Sequence, residues 1–211
     1  MTRRLSIHSL LVLSFVLGLA APAVAESPWA LLTELRQGLI DAGPTTARFE
    51  QTFLPAGFDD GTTEKGHVSL QLPRCLRWNY TDPEAKHFLL CEDEVWFWND
   101  LDPAGRHYRI DPENEPGLDL LLVDVDRLRE RYVAESDQRD DGTWDIRLAT
   151  PTDAVQPFHA TLRVDPVADR MIEFQYTDAE GNQTRFVITD YQPLQHTALF
   201  QAPVDIEWTD G

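Results

Sequence analysis

The chain has 211 residues, with 36 acidic side chains against 18 lysines and arginines, a formal charge of −18 and 42% hydrophobic residues. This balance argues against a nucleic-acid binder, which must attract phosphates and release their counterions, and against a basic helix lying on an anionic membrane. Six tryptophans, five tyrosines and ten phenylalanines exclude a disordered acidic tail, and two cysteines are too few for a zinc-finger set.

In chain order, residues 1–25 read as a secretory signal peptide. Arg3 and Arg4 form the charged start, Leu10 to Leu19 a short apolar run, and Ala23-Val24-Ala25 a small-residue cleavage site. The apolar run is too short to span a bilayer comfortably. Cleavage after Ala25 leaves residues 26–211 as a single domain, and removing Arg3 and Arg4 takes the charge from −18 to −20. Glu26, not a cysteine, follows the cut, so the mature protein is not itself lipidated. The expected product is a soluble monomer of the bacterial periplasm.

Ser27-Pro28 predicts a helix start through a capping hydroxyl and a proline at the first helical position. Leu31, Leu32, Leu35 and Leu39 then recur at helical spacing until Gly43-Pro44, which predicts a helix over 28–40. From Thr45 the period becomes two. Phe49, Gln51 and Phe53 form one set, Val68, Leu70 and Leu72 a second, and Leu76, Trp78 and Tyr80 a third. Further strands are predicted at 86–91, 94–99, 106–110, 131–137, 143–149, 158–165, 170–177 and 183–191, with turn signals such as Asp82-Pro83, Asp141-Gly142 and Gly181-Asn182 between them. One apolar segment, 116–122, interrupts the series, and Asp124 can cap a further short helix over 124–131. The pattern is a mainly β, antiparallel meander whose apolar face is covered by helices.

Catalytic signatures are missing. There is no nucleophile elbow, zinc-protease helix or Gly-rich phosphate loop, and the histidines of the mature chain are scattered without ligand spacing. A lipid hydrolase would need a serine nucleophile, and Ser27, Ser69 and Ser136 sit in no such motif. The expectation is a binding protein with no metal and no cofactor.

Cys75 precedes one predicted strand and Cys91 ends the next. A hairpin centred on Pro83 sets Cys75 opposite Cys91, Leu76 opposite Leu90 and Trp78 opposite Phe88. A Cys75–Cys91 disulfide suits an oxidising compartment, with two buried thiols as the alternative. A tight turn at Glu92-Asp93 then sets Val95 opposite Leu90 and Phe97 opposite Phe88. Trp96 and Trp98 fall on the other face. Either both faces are covered, or a bulge shifts the register, or these tryptophans mark a partner surface.

The stretches Ala47-Arg48-Phe49-Glu50-Gln51-Thr52-Phe53, Gly66-His67-Val68-Ser69-Leu70, Leu72-Pro73-Arg74-Cys75-Leu76-Arg77-Trp78-Asn79-Tyr80 and Val95-Trp96-Phe97-Trp98 occur in an order that, with Tyr176-Thr177-Asp178 and Gly181-Asn182-Gln183-Thr184, resembles the periplasmic outer-membrane lipoprotein carriers of the LolA type. The resemblance implies an open, incomplete antiparallel β-barrel of about eleven strands with a lid of about three α-helices. It also implies a carrier that takes acylated lipoproteins from an inner-membrane ABC release complex to an outer-membrane acceptor. A lipid-binding sensor, or a shuttle for another lipid, is the alternative on the same fold. In many carriers an arginine before the proline of the third stretch bonds to lid backbone. Here that position is Leu72, with Arg74 and Arg77 the nearby arginines.

The acyl-binding wall expected from these sets comprises Phe49, Phe53, Val68, Leu70, Leu76, Trp78, Phe88, Leu90, Val95, Phe97, Phe174, Phe186 and Ile188. Leu118, Leu121 and Leu122 are expected to contribute from the lid.

Overall fold

A computed structural model describes residues 26–111, 117, 119–154 and 157–210. The predicted signal peptide and Leu118 lie outside the described residues.

Strands with one apolar side hide it by pairing into a sheet that curves over that side. Twelve do so here: β1 (Thr45–Leu54), β2 (Thr62–Gln71), β3 (Cys75–Asp82), β4 (Lys86–Cys91), β5 (Glu94–Asn99), β6 (Ala104–Arg109), β7 (Val133–Gln138), β8 (Trp144–Ala149), β9 (His159–Asp165), β10 (Arg170–Thr177), β11 (Gln183–Pro193) and β12 (Glu207–Asp210). Their lateral order is β12-β6-β5-β4-β3-β2-β1-β11-β10-β9-β8-β7. The antiparallel β1–β11 pair, with Phe49 opposite Ile188, joins the two halves. β12 and β7 are the two free edges, so the barrel is open. Among the described residues the fold is mainly β with three helices, as expected, and has one strand more than the sequence pattern predicted. β12 runs parallel to β6, with Glu207 beside Ala104.

The helices are α1 (Pro28–Asp41), α2 (Asp119–Leu122) and α3 (Val125–Arg131). Pro28 occupies the start of α1, but the Ser27 side chain makes no capping bond, so the preset proline geometry carries that end alone. Asp124 caps α3 by accepting from the Asp126 backbone N–H at 3.0 Å. Leu31, Leu32, Leu35 and Leu39 of α1 and Leu128 of α3 are buried in one core with Leu76, Ile146, Leu148 and Leu162 from the concave face of the sheet. The helices thus cover the apolar side, as the pattern required.

The register of the first half is the one read from the hairpin arithmetic. Cys75 pairs with Cys91, Leu76 with Leu90 and Trp78 with Phe88. Val95 then pairs with Leu90, and Phe97 with Phe88. Cys75 and Cys91 are joined in a disulfide.

The tryptophan question resolves in favour of two covered faces. Residues 194–210, including a 3-10 turn at Thr197–Phe200 and β12, lie over the convex side of β3–β6. There Leu89, Trp98 and Phe200 form a second core with Trp96, Ile206 and Trp208 packed around it, and Trp98 is only 5% exposed. Arg77 fastens this segment, donating to the Leu199 carbonyl at 2.7 Å with its guanidinium 4.9 Å from the Trp98 ring.

The disulfide closes a separation of 16 residues. Replacing both cysteines by serine is expected to lower unfolding free energy by about 3 kcal/mol at most, in the chain-entropy account. Urea denaturation of the oxidised protein and of the Cys75→Ser, Cys91→Ser variant checks it.

Candidate functional site

The helices cover the concave face without filling it. Between them lies a cavity of about 420 Å³, within the range of roughly 300–1,000 Å³ typical of small-molecule pockets. Phe49, Val68, Leu70, Trp78, Phe88, Leu90 and Val95 form the wall from the first half of the sheet. Phe174, Phe186 and Ile188 form it from the second half, and Leu121 reaches down from α2.

Four expected residues stand elsewhere. Leu76 is on the same face but fully buried under its neighbours, so it belongs to the packed core. Phe97 is half-buried and outside the lining, its ring 4.6 Å from that of Phe88. Leu122 packs against the core, and Phe53 is half-buried near the end of β1. Lining residues outside the expected set are Leu39, Tyr80, Tyr108, Ile110, Gly117 and Met171, together with Tyr176 and Tyr191. Tyr80 and Tyr176 continue the period-two sets of Trp78 and Phe174, so the signal for them was present. Met171 carried no such signal, because the β10–β9 register shifts between Met171 and Glu173.

Space persists here because the side chains meet as ring edges and faces instead of interdigitating. Phe49 meets Tyr80 edge-on at 4.9 Å and Phe186 at 6.0 Å, and Phe174 stacks on Phe186 at 6.3 Å. Gly66 sits between Phe49 and Tyr80 in the ladder. A Cβ at Gly66 would lie 2.0 Å from the Asn79 carbonyl oxygen, so only glycine lets β2 and β3 approach this closely.

The polar atoms on this wall are mostly spent on the protein itself. The Tyr80 hydroxyl donates to Gln51 Oε1 at 2.6 Å and the Tyr191 hydroxyl to the Met171 carbonyl at 2.7 Å. Burial, then the neighbouring Glu64 and Tyr176, push the Tyr80 hydroxyl above the ordinary phenol range, and burial does the same to Tyr191. Both are neutral hydrogen-bonding phenols, and the cavity presents ring surface.

The lid is tied by an arginine that the sequence pattern did not single out. Arg36 of α1 donates from Nη1 to the Leu121 carbonyl at 2.6 Å and from Nη2 to the Leu122 carbonyl at 2.9 Å. These carbonyls end α2, where helix geometry leaves acceptors free. Burial lowers the pKa of Arg36 from its usual value, with Asp124 opposing the shift. Neither arginine near Leu72 reaches the lid: Arg74 pairs with Glu92 at 3.4 Å, and Arg77 holds residue 199 on the convex side.

Comparison with known proteins agrees with this architecture. The family described as outer membrane lipoprotein carrier protein LolA matches residues 42–202. An outer-membrane lipoprotein carrier protein of Chromobacterium violaceum is 27% identical over 183 residues, covering 86% of this chain and 84% of that protein. A crystal structure of an uncharacterized conserved protein from Thermus thermophilus superposes with a TM-score of 0.56 at 14% identity, over 88% of this chain and 100% of the other. A LolA superfamily protein from Nitrosomonas europaea gives a TM-score of 0.47 at 9% identity, over 85% and 99% of the two chains.

Arg36→Ala removes two charge-assisted bonds and is expected to cost about 1–2 kcal/mol of local stability. Hydrogen exchange of the 119–123 amides should accelerate about tenfold or more, while the β8–β9 amides keep their protection. Uniform acceleration across both regions would mean that Arg36 supports the whole fold and not the lid.

Proposed function

The chain belongs to the outer membrane lipoprotein carrier family, LolA, and we propose that it is a periplasmic carrier that binds lipoprotein acyl chains in its apolar cavity and performs no catalysis. On this reading, residues 1–25 direct export and are cleaved after Ala25. Residues 26–211 then take cargo from an inner-membrane ABC release complex towards an outer-membrane acceptor.

The observation that carries the proposal is the cavity of about 420 Å³, walled by aromatic and aliphatic side chains from both halves of the sheet and closed by α2. An acyl chain of sixteen carbons costs on the order of 12 kcal/mol to expose to water, at about 0.8 kcal/mol per methylene. A carrier has to recover most of that cost without trapping its cargo. Only differences in affinity among donor, carrier and acceptor drive transfer. A cavity under a lid held by two hydrogen bonds meets both demands, because apolar wall is uncovered only when the lid moves.

A triacylated lipopeptide is expected to bind delipidated mature protein saturably, read by the intrinsic fluorescence of Trp78 and the other tryptophans, whereas the same peptide without acyl groups does not bind. Phe88→Glu and Leu121→Glu place a charge on the wall and should each weaken binding at least tenfold. Absence of saturable binding across acylated ligands would overturn the carrier reading.

A further inference from the structure

We infer that Gln51, Glu64, Tyr80 and Lys86 form a subsite for the acyl carbonyl oxygens of the cargo, which sets the direction in which the chains lie. This inference rests on the carrier reading.

The four residues share the concave face as one cross-strand patch. Gln51 pairs with Glu64 across β1–β2, and Tyr80 with Lys86 across β3–β4. Lys86 Nζ lies 2.6 Å from Glu64 Oε1 and 4.5 Å from the centroid of the Tyr80 ring, which itself lines the cavity. The Tyr80 hydroxyl donates to Gln51 Oε1. The lysine and glutamate side chains are 28% and 21% exposed, withdrawn from bulk water yet reachable.

The bonding inventory of this patch leaves donors to spare. An ammonium has three N–H groups and an amide nitrogen two. Lys86 uses one on Glu64, and Gln51 Nε2 meets no protein acceptor among the described residues. The opposite end of the cavity, below the helices, is lined by Leu39, Ile110, Leu121 and Met171. Of the four residues only Tyr80 lines the cavity itself; Gln51, paired with the lining Phe186, stands with Glu64 and Lys86 past that lining, so donors rim the cavity at the open ends of β1 and β3 and hydrocarbon lies beneath the lid.

An acyl group has the complementary gradient. Its ester or amide carbonyl accepts hydrogen bonds only, and the rest is hydrocarbon. Carbonyls placed beneath the lid would lose water without replacement, whereas at Lys86 and Gln51 they recover it. The chains accordingly lie with their roots at the Gln51–Lys86 end and their methyl ends against α1 and α2. A lipopeptide and a diacyl phospholipid share this carbonyl chemistry, so the test separates them.

The experiment titrates mature protein with a triacylated lipopeptide, its dialkyl ether analogue, and a diacyl phospholipid with its own ether analogue. Wild-type protein should bind the ester-linked lipopeptide about tenfold more tightly than the ether form. In Lys86→Met, Glu64→Leu, which removes the ion pair without orphaning a charge or adding a donor, the preference for the ester form should fall about threefold or more. Gln51→Glu, which keeps the acceptor for the Tyr80 hydroxyl and removes the amide donors, should reduce the preference independently, and it carries the test if the double variant does not fold. Equal binding of ester and ether forms by wild-type protein, or a preference that survives in both variants, overturns the subsite while leaving the carrier reading intact. A preference shown only for the phospholipid pair overturns the assignment to lipoprotein cargo. Failure of every acylated ligand to bind removes the carrier reading and this inference together.

Discussion

The constraint on which the structure depends is that an open sheet with one apolar side must cover that side without filling it. Twelve strands curved into an incomplete barrel enclose more space than three short helices can occupy. The leucine face of α1 and Leu128 of α3 pack tightly over the second half, where Ile146, Leu148 and Leu162 are at most 1% exposed. Over the first half the cover among the described residues is thinner. α2 has only four residues, and the aromatic rings of β1, β3 and β4 stand partly uncontacted beneath it. Cavity and core are thus two ends of one apolar surface, separated by how much helix lies above each.

The same constraint operates on the convex side of β3–β6, where the alternation leaves a second apolar face of Leu89, Trp96 and Trp98. Here the chain solves it with its own C-terminal segment, which supplies Phe200, Ile206 and Trp208 as cover and β12 as an added edge strand. Gly105 is matched to this arrangement, since a Cβ there would lie 2.4 Å from the Trp208 ring. The hairpin carrying Trp78 and Phe88 is therefore fixed from behind by packing and at its end by the disulfide.

Much of this was legible in the sequence, and the exceptions have physical reasons. Period-two alternation and the Pro83 turn determine the facing of Leu76, Trp78, Phe88 and Leu90, because a one-residue slip would turn every one of them outward, whereas for Val95 and Phe97 the alternation left a bulge open and the structure shows none. Which of these inward residues line space and which are packed was not legible, since that depends on the short reach of α2. Leu76 and Phe97 illustrate this: facing was right, and depth was invisible. β12 escaped because a four-residue strand, paired in parallel with a strand about a hundred residues earlier, leaves no local period to read. Arg36 escaped for a similar reason. Its partners are backbone carbonyls 85 and 86 residues away, and carbonyls leave no mark in a sequence.

The location of that tie has consequences for how the lid can work. The resemblance implies a lid-binding arginine at the position of Leu72, just before Pro73, and Leu72 here is a partly buried apolar side chain packed against the core. The lid carbonyls here are bonded by a guanidinium on α1. Arg36 joins helix to helix, with Leu39 on its own helix and Leu121 on its partner both lining the cavity. A ligand that displaces Leu121 therefore strains the Arg36 bonds directly, and one that displaces Leu39 strains them through α1. Two hydrogen bonds to a cation are strong enough to keep an empty cavity covered and weak beside the on the order of 12 kcal/mol of a sixteen-carbon chain. On the proposed carrier reading, the lid is a threshold that acyl burial exceeds and that a short or unacylated segment does not.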